Sequence, residues 1–226
     1  MSEMATAHSM LARGQQDDAT RVIREVLEAA LGELAEEVMP VMAVLTRAVY
    51  YIQLGELTAS CRDAEEALDS ARAMSAGGIA GLALEVLGAA RYRLGHFECA
   101  LEAWSAAIDS FRMVEVFNGA ARTGLTAGSN LLRRRDPRSV AVLEGAVSDA
   151  RVARCAPTEE ARAESRCALA FALERAGRAH FRFGQVQLGV ADLHEAQRVL
   201  QHIGSKREAA EVSRSLSSLL AASRSS

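Results

Sequence analysis

The sequence predicts an all-α protein assembled from antiparallel helix pairs, and three observations lead there. Ala, Leu, Arg and Glu dominate the 226 residues, aromatics make up 4%, and the three prolines are Pro40, Pro137 and Pro157. The abundant types are good helix formers, whereas the β-branched and aromatic runs that build strands are scarce. Apolar residues recur at helical spacing: Phe97, Ala100, Leu101, Trp104, Ile108 and Phe111 stand at offsets 0, 3, 4, 7, 11 and 14. That is one stripe of an α-helix. Finally, a turn glycine followed by such a stripe returns at Gly14, Gly55 and Gly95, the mark of a repeat that stacks into a solenoid.

The elements follow in order. The first pair, about 3–35, turns at Gly14, with Ala19, Ile23 and Val26 behind it. The second, 38–75, turns at Gly55 in "YIQLGELTASCRDAEEAL" and packs through Ala64 and Ala67. In the third, 78–114, Leu84, Leu87, Gly88, Arg91 and Leu94 form a first helix with one charged intruder. Gly95 ends that helix with a left-handed backbone. So short a connection makes its two helices antiparallel neighbours. Gly88 and Ala100 then let the backbones approach, and Trp104 fills the space further along.

The fourth pair, 117–154, turns near Arg134-Arg135-Asp136, with Pro137 opening the next helix and Leu143 and Ala146 on its packing face. In the fifth, 158–202, Gly177, Gly184, Leu193 and Ala196 repeat the places of Gly88, Gly95, Trp104 and Ala107. Gly204 ends it, and Ser205 with Glu208 reads as a capping box opening a last helix, 205–222. Ala209, Val212, Leu216, Leu219 and Leu220 keep helical spacing there, while Glu208, Glu211, Arg214 and serines cover the outer face. A helix of that kind caps a solenoid's terminal core against water. "RCAPTEEA" around Pro157 is the clearest break but too short for a linker, so 1–226 is expected to be a single domain.

Several function classes fall away. The formal net charge of −3 gives no global pull toward nucleic acid or an anionic membrane. No apolar run approaches the roughly 20 residues that cross a bilayer. The start, "MSEMATAHSMLARGQQDD", lacks the basic head and apolar run of a secretory signal. A cytoplasmic location is the default. Cys61, Cys99, Cys155 and Cys167 form no C-x-x-C pair and read as small buried apolar residues. Of the five histidines, His194 and His202 are eight apart on one helix, about 12 Å by rise, too far to share a metal. There is no HExxH, phosphate loop or nucleophile elbow. Carboxylates read as lying on solvated faces. The expectation is a protein with no catalytic residue, no metal and no cofactor.

The unit resembles the tetratricopeptide repeat (TPR) family. Leu87-Gly88, the turn Gly95 with Phe97 two later, Ala100, Trp104 and Ala107 match its helix-turn-helix pattern, and the likeness extends over about 3–200. Arg91 departs from it, standing where the family has an aromatic, and the proline that closes each unit is absent. The period is about 40 rather than about 34 residues, as in long-repeat bacterial signalling ATPases and transcription regulators. The resemblance implies a right-handed superhelix whose first helices line a concave groove.

Carried over position by position, the groove receives Met42, Leu45, Val49 and Ile52 from the second pair. The third gives Glu85, Ala89, Tyr92 and Arg93, the fourth Gly124, Gly128, Leu131 and Leu132, and the fifth Phe171, Glu174, Arg178, Phe181 and Arg182. Met42, Leu45 and Val49 serve either as apolar anchors or as packing within the solenoid. The family's clamp for acidic chaperone tails is missing, because Leu45, Val49, Glu85 and Ala89 occupy its places. Arg133, Arg134, Arg135 and Arg138 form the densest positive run. They read either as a helix C-terminus followed by an Asp N-cap or as an anchor for an acidic partner or phosphate.

The resemblance implies a non-enzymatic scaffold that binds a protein or peptide in its groove, in a bacterial signalling, regulatory or assembly complex. Two alternatives stay open. One is a ligand- or signal-peptide-responsive module controlling a transcription factor or kinase. The other is a self-associating structural protein, a homodimer through the Met- and Leu-rich face around 38–52. Neither nucleic acid nor membrane is an expected partner.

Overall fold

The computed structural model describes residues 35–154 and 158–223, and among them it holds nine α-helices and no strand. They are α1 (Ala35–Leu54), α2 (Leu57–Ala73), α3 (Gly77–Arg93), α4 (Phe97–Met113), α5 (Phe117–Arg133), α6 (Arg138–Ala153), α7 (Glu159–Arg182), α8 (Val186–His202) and α9 (Lys206–Ser223). Helix pairs lie at 35–73, 77–113, 117–153 and 159–202, turning at Gly55, Gly95, Arg135 and Gly184, and a last helix lies at 206–223. The pair expected at 3–35, with Gly14, lies outside the described residues, as do Cys155 and Pro157.

One turn device sets the spacing. The backbone is left-handed at Gly55, Ser75, Gly95, Glu115 and Arg135, every 20 residues, and again at Gly184 and Gly204. At Gly95 (φ 88) the amide of His96 donates to the Arg91 carbonyl at 2.9 Å, and that of Gly95 to Tyr92 at 3.0 Å. This is a Schellman motif, satisfying carbonyls that the helix end would leave unpaired. The same two bonds recur at Ser75, Glu115 and Arg135, where a side chain bears the roughly 1–2 kcal/mol cost of the left-handed region. Helices α2 to α5 have 17 residues each, so one helix and one turn make the 20-residue step. Just before α6, Oδ1 of Asp136 accepts the amide of Arg138, the helix's first residue, at 2.9 Å, while Pro137 holds the N-cap position.

The chain divides into two compact units, 1–103 and 104–226, within α4. In the first, Ala48, Ala64, Leu87 and Ala103 make a small core. Arg91, the intruder, reaches from α3 to Glu65 of α2 at 3.0 Å, which explains how a cation replaces an aromatic there. Arg47 grips Asp63 through two bonds of 2.5 and 3.1 Å.

In the second unit, Leu143, Leu169, Leu173 and Leu193 are fully buried. The small-residue pattern acquires its reason here. A Cβ on Gly177 would stand 2.8 Å from Leu193 Cγ and 3.0 Å from the Gly189 carbonyl, so α7 and α8 touch backbone to backbone. Leu193 fills the space beside the glycine, the role expected of its position. Successive second helices are tied by ion pairs, Arg112 to Asp149 at 2.9 Å and Arg151 to Glu195 at 2.8 Å.

Some expectations need correction. Asp63 and Asp149 are buried rather than solvated, each satisfied by a bidentate arginine. Cys99 and Cys167 are exposed and Cys61 half-buried, rather than all buried. Leu94 is exposed because it falls past the last helical turn of α3, at the C-cap.

Candidate functional site

In the first unit, the candidate groove residues are largely engaged by their own fold. Leu45 is buried at 4% exposure and supplies core rather than surface, while Met42, Val49 and Glu85 are half-buried. Tyr92 packs its ring edge-on against Phe97, centroids 5.3 Å apart. The Arg93 guanidinium donates to the Ile52 carbonyl, at the end of α1 where the helix dipole favours a cation.

The second unit is different. A cavity of about 840 Å³ opens between α5, α7 and α9, a size that suits a small ligand or a few residues of a peptide. Helix α5 contributes Ser129, Leu132 and Arg133. Helix α7 contributes Arg175, Arg178, Phe181 and Arg182, spaced 0, 3, 6 and 7 and therefore on one face. From α9 come Glu211, Arg214, Ser215, Ser218 and Leu219.

Five guanidinium groups thus converge on one cavity. Glu174, a buried residue of α7, faces Arg178 at 2.5 Å and Arg175 at 3.2 Å, so one carboxylate serves two arginines. Glu211 is drawn to Arg207, outside the cavity, at 3.3 Å. Among the described residues, Arg133, Arg182 and Arg214 meet no carboxylate within 4.0 Å, and Arg133 has only Asn130 Oδ1 at 3.4 Å. The local balance is strongly positive on a chain whose net charge is −3.

The candidate residues therefore separate. Arg178, Phe181, Arg182 and Arg133 come together at the cavity, with Glu174 beneath it. Phe171 is exposed on the same face of α7, one turn before Arg175. Leu131 is buried, and Gly124 and Gly128 face α6, where their Cβ atoms would meet Ala146 at 3.0 Å and Leu143 at 2.5 Å. Those positions are helix contacts; Ser129, Leu132 and Arg133 carry the open face of α5 instead. Of the basic run, Arg134 and Arg135 are exposed but do not line the cavity. Arg138 binds Asp136 at 2.6 Å and, chiefly through that hydrogen bond, holds its carboxyl below the usual range.

The helices that line the cavity come from successive positions in the repeat series, all within the second unit. Helices α5 and α7 open their pairs, and α9 follows the last pair in the place a further first helix would take. Matching solved structures share this architecture. BtubC (BKLC) from P. vanneervenii superposes with a TM-score of 0.65 at 16% identity, over 88% of this chain and 78% of that one. A Podosopora anserina protein described as a kinesin light chain with nearly identical TPR-like repeats matches in two crystal structures. Their TM-scores are 0.56 and 0.55, at 14% and 15% identity, over 90% and 91% of this chain and 95% of each of those.

The chain has the TPR-like repeat fold.

At these identities the likeness is one of fold. No protein-family model and no curated protein matches the sequence. Within the TPR-like frame, α9 does more than the outer-face reading of its polar residues implied: its Arg and Ser positions wall the cavity. The arginine face of α7 is legible as a spacing and takes in Arg175 beside the expected Arg178 and Arg182, but nothing in the sequence brings Arg214 to it.

His180 also escaped the sequence reading. It is buried between Asp192, 2.7 Å from Nδ1, and Glu144, 3.1 Å from Nε2, joining α7 to α8 and α6. Burial pushes the Asp192 carboxyl upward against the pull of His180. The two carboxylates sit on opposite ring nitrogens, so the three cannot close on one ion. Among the described residues no cluster of His, Cys, Asp and Glu is placed to hold a metal, and no helix is long and apolar enough to cross a membrane.

Proposed function

We propose that this chain is a non-enzymatic TPR-like scaffold that holds a segment of a partner protein against α5, α7 and α9, in a cytoplasmic bacterial signalling, regulatory or assembly complex. The observation that carries the reading is the convergence of arginines from three helices on one open cavity, with an exposed aromatic beside it. Tyr, Trp and Arg dominate binding hot spots, and an extended or helical segment can use an apolar anchor together with charge pairing. Helix packing alone gives no reason for five cations around an 840 Å³ space. An anionic partner segment supplies that reason.

Affinity capture from native lysate tests it, comparing wild type with Arg178→Glu/Arg182→Glu. Both side chains are exposed and Arg175 remains to pair with the buried Glu174, so the variant is expected to stay helical, with a melting midpoint lowered by the loss of the Arg178–Glu174 pair, while a captured protein is lost. Full capture by the folded double variant would remove the cavity from the binding site.

A further inference from the structure

Resting on the reading of the cavity as a partner site, we infer that its occupant is a phosphorylated serine or threonine side chain on the partner segment. A carboxylate brings one charge and two oxygens, and one guanidinium fork satisfies it, as Arg47 does for Asp63. A phosphate monoester carries about −1.5 to −2 charge and three acceptor oxygens, and needs two or three forks at once. The cavity offers that excess. Arg133, Arg182 and Arg214 meet no carboxylate among the described residues, and they come from α5, α7 and α9 respectively, so they reach the space from three directions. Arg175 and Arg178 share Glu174 and keep donors to spare.

The remaining lining fits a side chain attached to a peptide better than a free ion. Leu132, Phe181 and Leu219 give an apolar wall against the same space. Phe171 lies outside the cavity, about 6 Å along the helix axis from Arg175, and is 48% exposed. It extends the surface in the direction a peptide would run, where an inorganic phosphate or a nucleotide phosphate has nothing to contact.

Binding of labelled peptide pools to the full chain tests the inference by fluorescence anisotropy. Each pool has one fixed central residue, phosphoserine, glutamate or serine, flanked by degenerate positions. The phosphoserine pool is expected to bind about tenfold or more tighter than the other two. The preference should fall with added salt and disappear in Arg182→Gln/Arg214→Gln, with the circular dichroism of the variant unchanged. Equal binding of the glutamate pool would overturn the phosphate assignment in favour of a carboxylate groove. Displacement of the phosphoserine pool by pyrophosphate at lower concentration than by unlabelled phosphopeptide would overturn it in favour of a small-ligand site. If no pool binds while Arg178→Glu/Arg182→Glu still loses its captured protein, the phosphate inference fails and the partner site stands. If capture is also indifferent to that variant, both fail.

Discussion

Adding a single methyl group at Gly177 tests whether α7 and α8 owe their contact to the missing side chain. On an open helix face, glycine to alanine is stabilising by about 1 kcal/mol, because alanine loses less conformational freedom. At Gly177 the new Cβ would stand 2.8 Å from Leu193 Cγ and 3.0 Å from the Gly189 carbonyl. Leu193 is fully buried and has no room to retreat, and the carbonyl is backbone, so α8 itself must shift. Overpacking of this kind costs about 1–3 kcal/mol. The two effects oppose each other and the clash prevails, leaving Gly177→Ala destabilised by about 1–2 kcal/mol. At about 2–4 °C per kcal/mol for a chain of this size, the midpoint should fall by about 2–8 °C. Gly145→Ala is the matched control. Its Cβ would meet only Arg112 Nη2, at 3.6 Å, so the propensity gain should survive as a rise of about 1–4 °C. Thermal and urea unfolding followed by circular dichroism reads both. A Gly177→Ala chain that melts at or above wild type would refute the close-contact argument.

The Arg47–Asp63 pair should respond unequally to truncation. Arg47→Ala strands a buried carboxylate and is expected to cost about 3 kcal/mol, whereas Asp63→Ala leaves a half-exposed guanidinium that water can reach and costs about 1 kcal/mol. Urea unfolding of the two single variants checks the order. The depressed Asp136 carboxyl contributes stability that is complete above the ordinary carboxylate range and is lost as pH falls from there through its own lower value. An NMR titration should place Asp136 below a free aspartate, and Arg138→Ala should return it toward the usual value. The capture assay on Arg178→Glu/Arg182→Glu and the phosphoserine peptide series add the two functional outcomes already described.

The fold was largely readable because its determinants are local. Gly55, Gly95, Gly184 and Gly204 punctuate the helices, and apolar residues such as Ala64, Leu143 and Leu193 repeat at fixed distances from them. What escaped depends on neighbours far along the chain. Asp63 and Asp149 look like any surface carboxylate until Arg47 and Arg112 are seen against them. His180 looks like a solvated histidine until Glu144, 36 residues away, closes on it. At the site, the arginines of α7 share a face by spacing alone, but Arg133 and Arg214 join them only after three helices have packed. Gly124 and Gly128 were misplaced because the fourth turn carries Arg135 instead of glycine, so the register of α5 had no marker.

The 20-residue step between left-handed residues makes the chain a cut-and-paste object. A block from Leu57 to His96 enters and leaves in the same backbone state, just before a helix and just after a turn. Copying or deleting such a block joins like to like, whereas losing one residue inside a helix rotates everything downstream on that helix by about 100°. Length can therefore vary in steps of one helix pair while each turn keeps its geometry.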